Sequence, residues 1–330
     1  MSAATCLAQA GCPVLLVEKN PVIGPKLCGG YLPLNHETRR MNIPAAVIEK
    51  TYQEVVLRIS NRVIRIQDEP KITFSRAELG RVMLEQASAA GVVVETGRRF
   101  KSLEGQVALV GDEKIRFHYL IGADGSNSTV RRQLRVPVRS SAVAFQMNLP
   151  EVRDEIEYIF DLERYFCWPA WIIPHRDHTV VGVGGDSTIF PLGKMKAELR
   201  ELVKRLGHSP DLLSMQGFRL LTDYAGHVFG NIYLVGDAAG LVGDWDGGGI
   251  YAAWASGVET ARHILSHNQG FPLLEAVLAA KRYQRRIVRG LTFNRTVSRA
   301  LFALLPAAFR FIPLSQRFYR AIHPPLRESE

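Results

Sequence analysis

The chain of 330 residues is 47% hydrophobic and 22% charged, which is ordinary globular composition and enough for one large domain or two interleaved ones. Its four cysteines show no CxxC spacing, which argues against a zinc site or a disulfide scaffold, and we predict no bound metal. The formal charge of +9 is concentrated near the C-terminus rather than interleaved with aromatics, so nucleic-acid binding is not expected. No signal peptide is recognisable and no apolar run reaches the ~18 residues of a spanning helix, so we expect a cytoplasmic protein.

The first residues are typical of the second half of a dinucleotide-binding unit. A helix over 1–10, a glycine cap at Gly11 and a strand over 13–17 lead to Glu18. An acidic residue at that strand tip binds a ribose hydroxyl in βαβ units, and the alternative is an exposed strand-end carboxylate. The preceding strand and its G-x-G-x-x-G loop are expected immediately before Met1, and the sequence does not contain them. A start site assigned late, a trimmed chain or a natural truncation would each explain this.

A glycine pair follows in the segment Gly24-Pro-Lys26-Leu-Cys28-Gly29-Gly30, which indicates a turn or a close backbone approach. A reactive thiol at Cys28 would need a depressed pKa, and the alternative is a structural cysteine in a loop. Two alternating runs, 55–59 and 62–66, predict paired antiparallel strands. Arg76 then opens a helix over 77–90, and a strand is predicted over 92–95.

The stretch 117–132 predicts a strand that ends at Gly122-Ala-Asp124-Gly125, followed by a helix capped by Ser or Thr. Asp124 either contacts a ligand or orients the backbone of this turn. From 135 to 224 the pattern is rich in strands, at 142–149, 157–160, 170–173 and 179–184, with one helix over 194–206. The aromatic run contains Tyr165, Trp168, Trp171 and Pro174, and these side chains line a cavity or belong to the sheet core.

A buried strand over 232–235 ends at Gly236-Asp237, and the glycines Gly247, Gly248 and Gly249 precede a helix that begins at Ile250 and runs to about residue 265. The strand end places the carboxylate at the ligand-binding edge of an α/β sheet. Glycines admit a close backbone approach, and the helix N-terminus favours negative charge. The alternative is an ordinary strand–turn–helix.

The C-terminal region 276–326 contains no acidic residue, and its cations alternate with apolar residues: Lys281, Arg282, Arg285, Arg286, Arg289, Arg295, Arg299, Arg310, Arg317 and Arg320. Apolar faces are predicted at 301–305 and 309–312. Basic amphipathic helices lie on anionic membrane surfaces, so we expect peripheral contact with the inner face of a membrane. The alternative is a helical cap with a solvated basic face.

These motifs together resemble the geranylgeranyl reductase family of the para-hydroxybenzoate hydroxylase superfamily, which implies bound FAD. By this resemblance Asp237 contacts the ribityl chain or pyrophosphate, and Gly247 to Ile250 face the isoalloxazine. Lys26, Cys28, Gly29 and Gly30 border the flavin and the substrate cavity, Arg76 lies beside the cofactor, and Asp124 and Gly125 make FAD and nicotinamide contacts. Trp168, Trp171 and Pro174 line the cavity of an isoprenoid chain.

One departure from the family pattern concerns the segment before the glycines. The family has an Asn-Pro pair and a Thr there, whereas this chain has Gly243-Asp244-Trp245-Asp246. We therefore expect a more acidic and bulkier environment for the flavin ring.

The expected fold is α/β, with a Rossmann-like FAD-binding domain of three layers and a mostly parallel sheet, interleaved with an antiparallel β substrate domain. The FAD-binding domain would comprise 1–52, 76–134 and 224–280, the substrate domain 53–75 and 135–223, and a basic helical region 281–330.

The expected activity is reduction of C=C bonds of an isoprenoid or other apolar small molecule by reduced FAD. NAD(P)H or ferredoxin would supply the electrons, and Cys28, Tyr165 and Asp246 are candidate proton donors. An aromatic or polyketide monooxygenase and a halogenase are alternatives, although Pro169 stands where the halogenase motif has Trp. A degenerate flavoprotein that only binds ligand is a third interpretation.

Overall fold

The structure is a computed structural model that describes residues 1–59, 62–266, 270–294, 296, 298–300 and 302, without the side chain of residue 68. The helices are α1 Ser2–Gln9, α2 His36–Arg39, α3 Arg76–Ala89, α4 Thr129–Gln133, α5 Leu162–Tyr165, α6 Leu192–Arg205, α7 Gly236–Ala239, α8 Ile250–Ser266 and α9 Pro272–Phe293. The strands are β1 Leu15–Val17, β2 Tyr31–Pro33, β3 Ile48–Ile59, β4 Arg62–Phe74, β5 Val93–Glu95, β6 Phe100–Glu104, β7 Val107–Val110, β8 Glu113–Arg116, β9 Leu120–Gly122, β10 Ser141–Leu149, β11 Ile156–Phe160, β12 Ala170–Pro174, β13 Thr179–Asp186, β14 Gln216–Leu221, β15 Val228–Phe229 and β16 Ile232–Leu234.

Short strands on one side of the molecule carry the turns that the sequence analysis singled out. β1 pairs in parallel with β5, and β9 pairs in parallel with β16, which also takes the antiparallel β15. Helix α1 packs against α8 so closely that a Cβ at Gly257 would lie 2.4 Å from Ser2 Oγ. We refer to these strands, with α1, α3, α4, α7 and α8, as the flavin-side layer.

The other part is an eight-stranded sheet in the order β14-β10-β13-β12-β11-β3-β4-β2, antiparallel except for the parallel pair β11 and β3. We call it the large sheet. Side chains alternate between the two faces of each strand. On β10, Phe145, Met147 and Leu149 face a core cluster shared with α6, while Ala142, Ala144 and Gln146 line the cavity described below.

The predicted paired strands at 55–66 form one long hairpin, because β3 and β4 extend to Ile48 and Phe74. Charged residues such as Glu54 and Arg65 occupy the outer part of this pair and obscure the apolar alternation. The meander β6-β7-β8 and the strands β2, β14 and β15 were not predicted from the sequence. The meander turns at Gly105 and Gly111, whose φ angles are +58° and +59°, and these two glycines were the signal that could have revealed it.

One buried side chain joins the two chain crossings that precede β10 and follow β14. Arg131 on α4 is 2% exposed and donates to the carbonyls of Pro137 (2.7 Å) and Ala238 (3.4 Å). It also lies 3.5 Å from the Asp223 carboxylate, which accepts from the Arg139 N–H at 2.8 Å. The guanidinium therefore connects the start and the end of the large-sheet segment with α7.

The C-terminal helix α9 packs on the domain, and not all of its cations lie on a solvated face. Lys281 and Gln284 are buried on its inner side, and Ile287 and Leu291 line the cavity. Within the described residues, no helix combines the length and the apolar character that a membrane crossing requires. The predicted apolar face at 309–312, most of the one at 301–305, and Arg295, Arg310, Arg317 and Arg320 lie outside the described residues, so peripheral membrane contact stays a prediction.

Candidate active site

A cavity of about 2890 Å³ lies between the flavin-side layer and the large sheet. Ligand pockets usually occupy ~300–1,000 Å³, so this space is large enough for an extended cofactor and a second molecule. β1 and β9 both line it, together with Glu18, Arg76 and the glycines Gly247 to Gly249.

Asp237 brings three of the sequence motifs together. It lies on the short helix α7 directly after β16 and is 8% exposed. Its Oδ2 accepts from Lys26 Nζ at 2.9 Å and from Ser126 Oγ at 3.1 Å. A Cβ at Gly249 would lie 3.5 Å from Oδ1, so Asp237 stands directly beside the glycine segment. Sequence reasoning missed Ser126, although it follows the Asp124-Gly125 turn.

The Lys26 ammonium also lies 5.0 Å above the Phe218 ring of β14. Lys26 therefore spans the cavity from the flavin-side layer to the large sheet. Its pairing with Asp237 means that the carboxylate at the strand end is compensated by a cation of the same site.

Small residues and one hydroxyl determine the turn after β16. Gly236 has a φ of +55°, and a Cβ there would lie 2.9 Å from the Cβ of Ala253 on α8. Its N–H donates to Ser256 Oγ at 3.0 Å. The close approach of α8 explains why small residues repeat along this helix, and it places Ile250, the first residue of α8, at the cavity wall.

The segment 243–246 corrects the expectation of a more acidic flavin environment at Asp244. The Asp244 carboxylate accepts from Lys281 Nζ at 2.8 Å and from Arg285 Nε at 3.0 Å, so two cations of α9 neutralise it. Burial lowers the pKa of Lys281, and the neighbouring Asp244 opposes that effect. Lys281 and Arg285 were predicted as part of a basic surface, and sequence spacing alone did not reveal this contact.

Two indole rings hold the same segment against the large sheet. Trp168 Nε1 donates to the Asp244 carbonyl at 3.0 Å, and Trp245 Nε1 donates to the Cys167 carbonyl at 2.6 Å. Asp246 accepts from the Gly248 N–H at 2.9 Å and from Gln284 Nε2 at 3.2 Å. The expected bulk is therefore present as Trp245, which is buried in the core and also lines the cavity.

In the Asp124-Gly125 turn, the Asp124 carboxylate binds backbone N–H groups. Asp124 Oδ2 accepts from the N–H groups of Thr129 (2.6 Å) and Val130 (3.1 Å), which begin α4. Gly125 has a φ of +76°, and both residues line the cavity. The interpretation in which Asp124 orients this turn is thus realised in the structure, and contact with a cofactor stays a prediction.

Glu18 and Arg76 lie at the ends of their elements, as their sequence context predicted. Glu18 follows β1 and accepts from the Asn20 N–H at 2.8 Å, and its own N–H donates to the Glu95 carbonyl. Arg76 is the first residue of α3. Both line the cavity, so each is available to a polar group of a ligand.

Most of the residues predicted at the substrate cavity do line it, and Pro174 at the end of β12 is the exception. Cys28, Gly29, Gly30, Trp168 and Trp171 line the cavity. The Gly30 N–H donates to Cys28 Sγ at 3.4 Å, and a Cβ at Gly29 would lie 2.9 Å from Ile173 Cδ1. Pro174 is not among the lining residues; it ends β12 and its carbonyl accepts from the Tyr52 hydroxyl at 3.2 Å.

Tyr165 does not reach the cavity. It is fully buried in the core on the α6 side of the large sheet, where its hydroxyl accepts from Arg205 Nη2 at 2.6 Å. Burial raises the pKa of the phenol, which opposes ionisation but does not bring it to the reacting site. Of the three candidate proton donors, the structure places Cys28 and Asp246 at the cavity and Tyr165 behind its wall.

The residues present fit a flavin cofactor. Glycines at the start of α8 leave backbone exposed beside Asp237, a small-residue turn follows β16, and the cavity extends past Glu18 at the end of β1. Asp237, Lys26 and Gly247 to Ile250 would hold it at the flavin end, and Glu18 and Arg76 would offer polar contacts farther along.

Comparison with known proteins agrees with this geometry. The family described as "FAD binding domain" matches residues 32–270. An uncharacterised protein of Methanosarcina barkeri is 26% identical over 94% of this chain and 83% of its own length. The chloroplastic geranylgeranyl diphosphate reductase of Arabidopsis thaliana is 25% identical over 81% of this chain, which spans 64% of that protein.

Among solved structures, a geranylgeranyl bacteriochlorophyll reductase-like protein of Thermoplasma acidophilum has a TM-score of 0.76 at 20% identity, covering 89% of this chain and 85% of the other. The p-nitrophenol 4-monooxygenase of Pseudomonas putida has a TM-score of 0.70 at 14% identity, covering 97% and 95%. At these identities the likeness to solved structures defines the fold.

The fold and the glycine-lined site therefore define an FAD-dependent oxidoreductase. This chain belongs to the family of FAD-binding domains, and its relatives in sequence include geranylgeranyl reductases.

Proposed function

We propose that the protein reduces C=C bonds of an isoprenoid or a similar apolar substrate. The observation that carries this proposal is the apolar arm of the cavity, which continues from the Cys28–Gly30 segment along the large sheet. Its walls are aliphatic and aromatic: Leu57, Ile59, Ile66, Tyr158, Phe160, Ile173, Ile287, Leu291 and Phe302.

Reduced FAD, when bound, supplies hydride to an alkene carbon. The chain's own contribution is to orient the substrate and to exclude water. The large sheet and α9 cover the apolar arm of the cavity, and the Lys26–Asp237 pair lies at the polar end of the same cavity. Cys28 and Asp246 stand at the cavity wall and are the residues we propose for proton delivery.

The direct test uses the FAD-loaded protein, dithionite and a geranylgeranyl lipid, with products measured by mass spectrometry. The expected product gains two hydrogens per reduced double bond. An unchanged lipid mass contradicts the proposal. NAD(P)H oxidation stimulated by an aromatic substrate, with oxygen incorporated into the product, would instead identify a monooxygenase.

A matched pair of variants on α9 tests the apolar arm itself. Leu291 lines the cavity, whereas Phe293, two residues later, is 92% exposed. Leu291→Asn should lower turnover of the long apolar substrate with FAD affinity unchanged, and Phe293→Asn should leave both unchanged. Equal turnover in the two variants would argue that the substrate does not use this arm.

Whether FAD binds is a separate measurement. The purified protein should develop flavin absorbance when FAD is added, and failure to do so would favour the interpretation as a degenerate binding module. The electron donor stays a prediction, NAD(P)H or ferredoxin, and stopped-flow reduction of the bound flavin with each would distinguish them.

A further inference from the structure

His175, which follows β12 directly, is a buried ring in contact with the Cys28–Gly30 segment. It is 3% exposed. Its Nδ1 lies 2.6 Å from Glu49 Oε2, and its Nε2 lies 2.9 Å from the Gly29 carbonyl oxygen. Gly29 lines the cavity, so the ring connects the large sheet to a segment of the candidate active site.

The two contacts of His175 require an additional proton. A carbonyl oxygen only accepts hydrogen bonds, and a neutral imidazole has only one N–H. Either the ring carries both protons beside the Glu49 carboxylate, or Glu49 is protonated and donates to Nδ1 while Nε2–H donates to Gly29. In both assignments the His175–Glu49 pair holds one proton more than a neutral ring beside a carboxylate.

Gly30 is required for this arrangement. Its φ is +62°, and a Cβ there would lie 2.4 Å from the Phe74 carbonyl oxygen and 2.5 Å from His175 Cε1. The Phe74 N–H donates to the Gly30 carbonyl at 2.8 Å. β4 and the His175 ring therefore hold consecutive residues of the segment, and the Cys28 thiol is next to them.

Other ionisable groups surround the pair. The His178 ring stacks on His175 with centroids 4.7 Å apart, and His178 Nδ1 lies 2.7 Å from Asp177 Oδ1. The hydrogen bond to His178, followed by weaker charge effects that include His175, lowers the pKa of Asp177. On β3, burial, Asp154 and Glu49 raise the pKa of Tyr52 to about 12, so its hydroxyl stays neutral.

We propose that the His175–Glu49 pair is a positioning device for Cys28, acting through the proton that the pair shares. While the pair holds that proton, Nε2–H binds the Gly29 carbonyl and fixes the thiol at the cavity wall. Loss of the proton leaves one ring nitrogen bare opposite an oxygen, either of Gly29 or of Glu49, so one of the two contacts that hold the ring and the segment together is lost. His175 itself touches no substrate. This inference rests on the proposed function only in that the segment borders the reacting site.

Charge state is measured first, by nitrogen NMR of the FAD-loaded protein with labelled histidine and carbon NMR of labelled glutamate. The expected spectrum shows either two protonated nitrogens on His175 or a protonated Glu49. Glu49→Gln should convert the ring to the neutral form. A neutral ring beside an ionised Glu49 in the unmodified protein would overturn the proposal.

Positioning is measured by the rate at which iodoacetamide alkylates Cys28, with peptide masses separating Cys6, Cys12 and Cys167. Hydrogen bonds to charged groups are worth ~1.5–3 kcal/mol, so His175→Ala should raise the Cys28 rate by about 10-fold or more. Glu49→Gln, whose amide can donate to Nδ1 and keep Nε2–H on Gly29, should leave the Cys28 rate close to that of the unmodified protein. His175→Gln, which retains an amide donor, should restore part of the protection.

The matched control is His178→Ala, which removes the stacked ring and leaves the contact with Gly29. Its Cys28 rate should equal that of the unmodified protein. An unchanged rate in folded His175→Ala contradicts the proposal, and His175→Phe, which keeps a ring but lacks the N–H donor, carries the test if His175→Ala does not fold. Neither measurement uses an isoprenoid, so failure of the proposed reduction would not affect these outcomes.

Discussion

The two walls of the cavity are built on different physical principles. The wall that carries Asp237 and the segment 243–249, which we call the flavin-side wall, depends on a few polar contacts at defined distances. These contacts join Asp237 to Lys26 and Ser126, and Asp244 to Lys281 and Arg285. The large-sheet wall depends on alternation, with one face of β10 and β12 packed on α6 and the other exposed to the cavity. A single polar substitution on the first wall should therefore cause a large loss of stability or of FAD affinity. Apolar substitutions on the second wall should change stability by smaller amounts that follow the change in packing.

The largest effect is expected where α9 meets the segment before the glycines. Removing one partner of a buried ion pair costs ~3–5 kcal/mol when a charge is left uncompensated, so Asp244→Asn, which removes the carboxylate that Lys281 and Arg285 share, should lower the free energy of unfolding by that amount. Urea denaturation measures it. Asp112→Asn is the control, because the Lys101–Asp112 pair is solvent-exposed and its loss should leave the free energy of unfolding almost unchanged. Equal losses in the two variants would contradict the polar character assigned to the flavin-side wall.

Asp237 should matter mainly for the cofactor. Asp237→Asn keeps the shape of the side chain but removes the negative charge to which Lys26 and Ser126 donate hydrogen bonds. Hydrogen bonds to charged groups are worth ~1.5–3 kcal/mol, which corresponds to a loss of FAD affinity of about 10–100-fold. Flavin fluorescence titration checks this, with Asp112→Asn as the control of equal charge change. An affinity within twofold of the unmodified protein would remove Asp237 from the predicted cofactor site.

On the large-sheet wall, Gly182→Ala tests whether packing alone shapes the cavity. A Cβ at Gly182 would lie 2.2 Å from the Trp171 ring, so the indole must move. Overpacking of this kind costs ~1–3 kcal/mol. Tryptophan fluorescence should change while FAD affinity stays the same. Gly193→Ala, where nothing lies within 4 Å of the added Cβ, is the control. Loss of FAD binding in Gly182→Ala would show that the two walls are not independent.

Lys71 sharpens the comparison, because it is a fully buried cation on β4 of the large sheet. Burial lowers its pKa to about 8, whereas an unfolded lysine titrates near ~10.4. The unfolded chain therefore binds more protons between these values, and stability rises with pH across that window. Lys71→Met should remove this rise. Denaturation at pH 7.5, 9 and 10 measures it, and parallel curves for the two proteins would contradict the shift.

The local turns could be predicted from sequence because their signals are local. Gly236-Asp237 after an apolar strand, and Asp124 before a capped helix, are each recognisable within a few residues, although the Gly236 N–H also donates to Ser256 of α8. Tyr165 could not be placed in the same way. It lies on the four-residue helix α5 between β11 and β12, and the side of the sheet it faces depends on α6, far along the chain.

Contacts between distant segments were the other gap. Asp244 was expected to make the site acidic, but its neutralisation depends on two cations of α9, 37 and 41 residues later. The role of His175 could not be predicted, because its partner Glu49 is 126 residues away in the chain. Neither spacing leaves a periodic signal in one sequence.

The contacts of Arg131 affect how cooperatively the protein unfolds. Its guanidinium joins segments that lead into the large sheet, out of it, and into α7. Lysine could not replace it, because a single ammonium cannot reproduce a planar fork aimed at several carbonyls at once. Neither part can open without stripping this group of its partners. Heating should therefore give one calorimetric transition in the native chain, and Arg131→Lys should separate it into two.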